Sequence, residues 1–430
     1  MRLVPVFDGG WPHGLGKRRC VWFSNFPGVV GCTGGSSWRF SLVAAGLDRA
    51  AGRSGNGSCA AQQRPDRRSA DGSKRSGRGL LPSESAPYGG VVLSEPEDLD
   101  RAELEALLKR HWGLCGATLA YLPVGFGSHH WSAEDSGGAR RFVSVDDLEA
   151  GFQRGPDTDS AFAALDRAFR TAAALRDEAK LEFVVAPLAD DEGVVIRRLS
   201  DRYAVRLSPL VEGESSAYGS YESPDDRRRM AGVLGRLHAA TVHVPTDLPR
   251  KEDFALPSRA ALVEALHDLD RPWLSGPFGE PARRLLEAGA HDVERGLQEY
   301  DVLAARVRED SGSWVVTHGE PHRANVIRDP LGGVHLVDWD TTLLAPRERD
   351  LRMVLDRELT GWDEYVAVAG AAYLNQEAIE LYRRWWDLAE IGIYIELFRR
   401  AHKQTEDTIK SWESFAEYLP RSRPRRANVG

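Results

Sequence analysis

The chain has 430 residues, 42% hydrophobic and 28% charged, with a formal net charge of −8. That length calls for at least two lobes. A mean hydropathy of −0.40, with no apolar run of spanning length, argues against a membrane-embedded chain, and no membrane partner is expected. The charge is unevenly spread: residues 1–90 carry thirteen Lys or Arg against five Asp or Glu, a balance of +8, and the other 340 carry −16. The first ninety residues also hold 17 of the 42 glycines and three of the four cysteines (Cys20, Cys32, Cys59). From Arg49 to Gly90 large aliphatic residues are almost absent, too few to offset the entropy of ordering, so residues 1–90 are expected to form a disordered basic tail. The runs Arg64–Arg68 and Lys74–Arg78 have no interleaved aromatic residues, so no nucleic-acid partner is expected. Only Cys115 lies in the acidic part and there is no Cys-x-x-Cys pair, which points to a reducing cytoplasm.

From Ser94 onward the texture becomes periodic. Asp98–Trp112 has helical spacing with an acidic first turn. Leu119–Pro123, the turn Gly125-Phe126-Gly127, His129–Ala133, the turn Ser136-Gly137-Gly138 and Arg141–Val145 then read as strand, glycine turn, strand, hairpin, strand. Ser160–Ala179 is an Ala-rich helix. Leu181–Val185, Val194–Arg197 and Tyr203–Leu207 read as strands, the last leading into Ser208–Gly213. After Pro224 the pattern is helical except for an island near residues 314–338. The fold class is therefore α+β: a small antiparallel β N-lobe with one helix (91–213, with the hinge), a larger, mainly helical C-lobe (214–420), and a disordered tail (421–430).

The island carries the chemistry. Trp314–Thr317 is a buried-strand pattern ending in His318-Gly319-Glu320-Pro321-His322-Arg323-Ala324-Asn325, and a hairpin follows, ending at Asp338-Trp339-Asp340. Glu320, Asn325 and Asp338 offer hard oxygen donors on adjacent loops, which suits magnesium. His318 and His322 are four apart, but Gly319 and Pro321 spoil the helix a zinc pair would need.

His318–Asn325 followed by Val337-Asp338-Trp339-Asp340 resembles the catalytic and metal loops of the aminoglycoside phosphotransferase family, whose fold is protein-kinase-like and bilobal. Leu343–Leu351, Gly235–Ala240 and the late helix Trp385–His402 extend the likeness over about residues 95–420. The resemblance implies a small-molecule kinase using ATP and Mg2+. Glu320 would orient the acceptor hydroxyl, with His318 beside it in the catalytic loop as a structural histidine. Asn325 and Asp338 would hold the metal. Gly125, Phe126, Gly127 and Ser128 would cover the nucleotide phosphates, and Leu210 would lie in the adenine-binding hinge. Asp350 would anchor the catalytic loop.

Two departures from that pattern stand out. The usual base is Asp, and this chain has Glu320, one methylene longer. The strand Arg141–Asp146, where the resemblance places a phosphate-binding lysine paired with a carboxylate such as Glu178, contains no lysine; Arg140, Arg141 and Lys180 are candidate substitutes. A catalytically weak nucleotide- or metabolite-binding relative is therefore the competing expectation.

The acceptor would sit on the helical lobe. Tyr382–His402 combines an apolar stripe with Asp387, Glu390 and Glu396, and Glu406 and Asp407 follow. Carboxylates there would hold a cationic aminoglycoside or aminocyclitol antibiotic, as in resistance by modification. Trp386, with Trp385, would instead suit a quaternary ammonium in a choline- or homoserine-type kinase. His129 and His130 read as a strand or loop surface and His238 as a satisfied helix position. A monomer or weak dimer is expected.

Overall fold

The computed structural model describes residues 93–124, 127–149, 157–370 and 373–419. Both expected tails lie outside the described residues. The first helix, α1 (Arg101–Trp112), starts where the Asp100 carboxylate accepts from the Ala102 and Glu103 amides at 2.8 and 3.3 Å. Its last turn is basic, and it stops at Gly113, whose φ of 65° permits the left-handed cap.

β1 (Thr118–Leu122), β2 (Ser128–Glu134) and β3 (Arg140–Asp147) follow as an antiparallel meander. The helix α2 (Thr158–Asp177) comes next, then β4 (Arg197–Arg198) and β5 (Tyr203–Pro209). The sheet order is β1-β2-β3-β5-β4. Strand alternation divides its side chains cleanly. Trp131, Val143, Val145, Tyr203 and Val205 pack under Leu104 and Leu108 of α1. Ser128, His130, Phe142, Ser144 and Arg206 face the other way, into a cleft. His129 and His130 are thus buried strand residues on opposite faces, not the surface pair expected.

Leu181–Val185 is not a strand. Its hydrogen bonds close a single parallel bridge, in which the Leu336 amide donates to Phe183 and the Val185 amide to Leu336, so the segment ties the N-lobe to the second lobe. An apolar run reports burial, and here the burial comes without a ladder. The strand expected at Val194–Arg197 shrinks to the two residues of β4.

The C-lobe begins with β6 (Glu214–Ser215) and α3 (Pro224–Ala239), the latter capped by Ser223 with Pro224 in its first turn. α4 (Arg259–His267) and α5 (Gly279–Arg308) follow, then β7 (Val315–Thr317), β8 (Val326–Arg328), β9 (Val334–Leu336) and β10 (Leu343–Ala345). The chain closes with α6 (Glu348–Val354), α7 (Trp362–Ala369), α8 (Gln376–Arg399) and α9 (Glu406–Tyr418). The hairpin β8–β9 is extended by β6, and β10 pairs antiparallel with β7. The late helix starts earlier than its aromatic stripe indicates, at the Asn375 cap. One apolar core joins α2 and α3 to Val316, Leu336, Trp339 and α7, so it runs under the segment 314–338 from both lobes. A second fills the space between α5, α8 and α9. The molecule is the bilobal α+β fold expected.

Candidate active site

The loop after β7 has almost no regular structure of its own, so side chains from elsewhere set its shape. Asp350, at the start of α6, is fully buried and accepts from the His318 amide at 2.8 Å and the Gly319 amide at 2.6 Å. It also accepts from His238 Nε2 of α3 at 3.1 Å, and His238 Nδ1 meets the Tyr365 hydroxyl at 2.8 Å. Burial alone would push Asp350 up. The hydrogen bond from His238 and the positive Arg349 nearby outweigh it and hold the carboxyl below its ordinary value. Gly319 has φ 101°, and a Cβ there would collide with the Arg349 guanidinium.

His318 is fixed at both ring nitrogens: Nε2 donates to the Val337 carbonyl at 2.8 Å and Nδ1 accepts from the Glu320 amide at 3.2 Å. Burial lowers its pKa, so the ring is neutral and shapes the loop. It does not converge with His322 on a metal. His322 is held neutral by burial, with its pKa down to about 3, and lies against Asn325 and 3.8 Å from Glu320. The Asn325 amide nitrogen donates to the Glu320 carbonyl at 3.1 Å, and the Asn325 carbonyl accepts from Val337 at 3.0 Å. Asp338 follows immediately with φ 69°, a left-handed turn at the end of β9 that Asp tolerates and that redirects the chain toward the cleft.

A partly open cleft lies between the lobes, a common place for a small-molecule site. Asn325 and Asp338 line it on the C-lobe side, with Val185, Val337 and Trp339 as apolar wall. Two oxygen-bearing side chains beside a roomy cleft fit a magnesium ion that keeps positions for water and phosphate. Ser208 and Pro209 line the hinge edge; Leu210, next in sequence and half-exposed, is not among the lining residues. Gly125 and Phe126 lie outside the described residues. Gly127 has φ 80°, as a tight turn requires, and Ser128 lines the cleft while donating to Asp146 at 2.7 Å.

None of the candidate substitutes for the missing lysine reaches this cleft. Arg141 donates to the carbonyl of Arg140, at the hairpin end of β3, and neither side chain lines the cleft. Lys180 is exposed and caps Asp177 at the end of α2. Glu178 is exposed at the same helix end. Where α2 meets the sheet it presents Phe169, with the Arg206 guanidinium 4.4 Å over its ring.

Against His322, which lies 3.8 Å from the Glu320 carboxyl, stands an aromatic wall that includes a residue without a recognisable motif. Tyr218 packs edge-on against His322 at 4.8 Å and stacks with Trp386 at 6.3 Å. Trp386 donates to the Tyr418 hydroxyl at 3.3 Å and carries the Arg352 guanidinium 5.0 Å over its ring. Trp385 turns away and donates to the Ala255 carbonyl, so the two tryptophans form no shared cage and a cation already covers Trp386. Desolvation, with the Asp387 charge assisting, pushes Glu390 up to about 8, against a lowering hydrogen bond from Tyr394. Asp387 is exposed one turn earlier. Glu396 is engaged by Ser258 at 2.6 Å and paired with Arg400, and Asp407 accepts from the Leu93 amide. The acidic set facing Glu320 is therefore smaller than the helix pattern indicates. Glu320 itself is raised well above its ordinary value by burial, then by Asp340, Asp338 and Glu390.

Residues 134–386 match the phosphotransferase enzyme family. Protein StrN of Streptomyces griseus is 30% identical over 262 residues, covering 58% of this chain and 75% of that protein. Among solved structures, spectinomycin phosphotransferase APH(9)-Ia in complex with ADP and spectinomycin superposes with a TM-score of 0.59 at 15% identity. It covers 76% of this chain and 99% of its own. Its AMP-bound complex gives 0.57 with the same identity and coverage. At that identity the superpositions show a common fold, while the family match spans more than half of the chain. By the family match and the relative at 30% identity, this chain belongs to the phosphotransferase enzyme family and is a small-molecule kinase.

Proposed function

We propose that this enzyme transfers the γ-phosphate of ATP, with Mg2+, to a hydroxyl of a small cationic acceptor, an aminocyclitol or aminoglycoside antibiotic first. In this reading residues 91–213 bind the nucleotide and residues 214–420 bind the acceptor. The observation that carries it is the placement of Glu320, whose backbone carbonyl accepts from the cleft-lining Asn325 side chain at 3.1 Å and whose carboxyl lies 3.8 Å from His322, the residue packed on Tyr218. A hydroxyl placed there meets a carboxyl on one side and the phosphate-binding cleft on the other.

Phosphoryl transfer passes through a loose transition state, so alignment and charge stabilisation matter more than a strong base. Asn325 and Asp338 would hold the magnesium ion, which when bound neutralises phosphate charge. Glu320 orients the acceptor hydroxyl and takes its proton; burial, then the carboxylates around it, raise its proton affinity. His318 touches no reacting atom; it positions the Glu320 amide and the Val337 carbonyl. Asp387 at the rim, Glu390 and Trp386 bind the acceptor. The likeness to a spectinomycin phosphotransferase favours an aminocyclitol. A choline-type acceptor loses its support with the separation of Trp385 from Trp386.

The test is magnesium-dependent ADP release across a panel of aminocyclitols, aminoglycosides, choline and homoserine. Turnover with an aminated cyclitol or sugar is expected. Turnover confined to choline or homoserine, or none with any acceptor despite ATP binding, would overturn the assignment.

A further inference from the structure

We propose that Arg206 of β5 is the cation that grips the nucleotide phosphates, replacing the lysine that β3 lacks. The inference rests on the ATP-dependent reading above. From β3 the cleft is lined by Phe142 and Ser144, with Asp146 next along that face; Arg140 shares the face but sits at the hairpin end, off the cleft. Directly across the ladder from Ser144 stands Arg206. It is only 6% exposed, yet it lines the cleft together with Asn325 and Asp338.

Withdrawing a guanidinium this far from water is costly unless it is paired. The pairing is present: Arg206 Nη1 donates to Asp146, and the ring of Phe169 supports the guanidinium from α2. A guanidinium carries five donors in a fixed fork, so one group can hold Asp146 and also present donors to phosphate oxygens at the cleft that Arg206 lines. Asp146 also receives the Ser128 hydroxyl at 2.7 Å, which ties the pair to the residue following the Gly127 turn. Arg206 and the proposed metal ligand Asp338 line the same cleft, and the negative charges of Asp338 and Asp340 favour the guanidinium there. The anion and cation thus lie on neighbouring strands of one sheet, and α2 contributes an aromatic face in place of a carboxylate.

Binding, not turnover, reads this role. Calorimetric affinities for ATP and for adenosine are compared in the wild type and in two charge-free replacements of the pair, D146N/R206Q and D146L/R206M. Both replacements avoid leaving Asp146 buried without a counter-charge, and together they give the fold two ways to survive. Loss of charged phosphate contacts is expected to weaken ATP roughly 10- to 100-fold while adenosine is unchanged. R206K should recover part of the loss. If either replacement folds and keeps the wild-type preference for ATP over adenosine, Arg206 is a structural ion pair and the proposal falls. A wild type that binds ATP no better than adenosine overturns the ATP-dependent reading and the Arg206 role together.

Discussion

Asp350→Asn isolates what holds the catalytic loop. The substitution preserves shape and removes one acceptor oxygen. If the amide oxygen takes the place of Oδ2, it still accepts from His318 and His238, but the NH2 group then faces the Gly319 amide, donor against donor. The opposite rotamer leaves two donors opposed. The milder case loses one charge-assisted hydrogen bond, worth about 1.5–3 kcal/mol, and strands a buried N–H at about 1–3 kcal/mol. A drop of roughly 3–5 kcal/mol in unfolding free energy follows, measured by urea titration followed through tryptophan fluorescence. A loop displaced by about 1 Å would also slow phosphate transfer by about 100-fold. The stability difference has a definite pH dependence. Because the folded Asp350 carboxyl is held below its unfolded value of about 3.9, its contribution is complete above that pH and is lost as pH falls through the folded value. The gap between wild type and variant should therefore be flat near neutrality and close in acid. A variant within about 0.5 kcal/mol of wild type, with full turnover, would refute the anchoring argument.

Asp338→Asn should abolish magnesium-dependent turnover with the far-UV spectrum unchanged; full rate would sink the metal assignment. Glu320→Asp retracts the carboxyl by one methylene and should slow turnover about 100-fold, whereas a faster enzyme would show that the longer side chain is a handicap. Glu390, raised to about 8, gains its charge only as pH rises through that value, so affinity for a cationic acceptor should increase over the same window and become flat in Glu390→Gln. Between about 4.5 and 8 the folded state keeps a proton that the unfolded chain releases. That group's effect on stability therefore worsens as pH rises, and Glu390→Gln should melt higher than wild type at pH 8. Removing residues 1–90 should leave the melting temperature and ATP affinity unchanged, since it spares Leu93, whose amide donates to Asp407 at 3.1 Å; a large fall would show that the basic segment packs on the lobes.

The placement of His318, Glu320, Asn325 and Asp338 was readable because they follow one another on a strand end and a hairpin, where local turn signals suffice. Arg206 was not, because its meaning comes from register: only pairing of β3 with β5 sets it opposite Ser144, and no local pattern encodes that pairing. Tyr218 was hidden for the same reason, since its partners His322 and Trp386 come from distant segments. Conversely, Trp385 and Trp386 looked like a pair because they adjoin in sequence, but successive helical side chains diverge by about 100°. Leu181–Val185 misled because apolar composition marks burial and leaves the hydrogen-bonding partner unspecified.

The Asp350 carboxylate draws together a helix residue 112 positions upstream and a loop 32 positions upstream. Loop closure over such separations is slow and entropically costly, and it comes after local helices form. The loop after β7 is therefore expected to acquire its shape late in the folding of the chain. A molecule arrested with its helices formed and its long-range contacts unmade would carry every residue of the motif and none of its geometry, so turnover doubles as a report that assembly is finished.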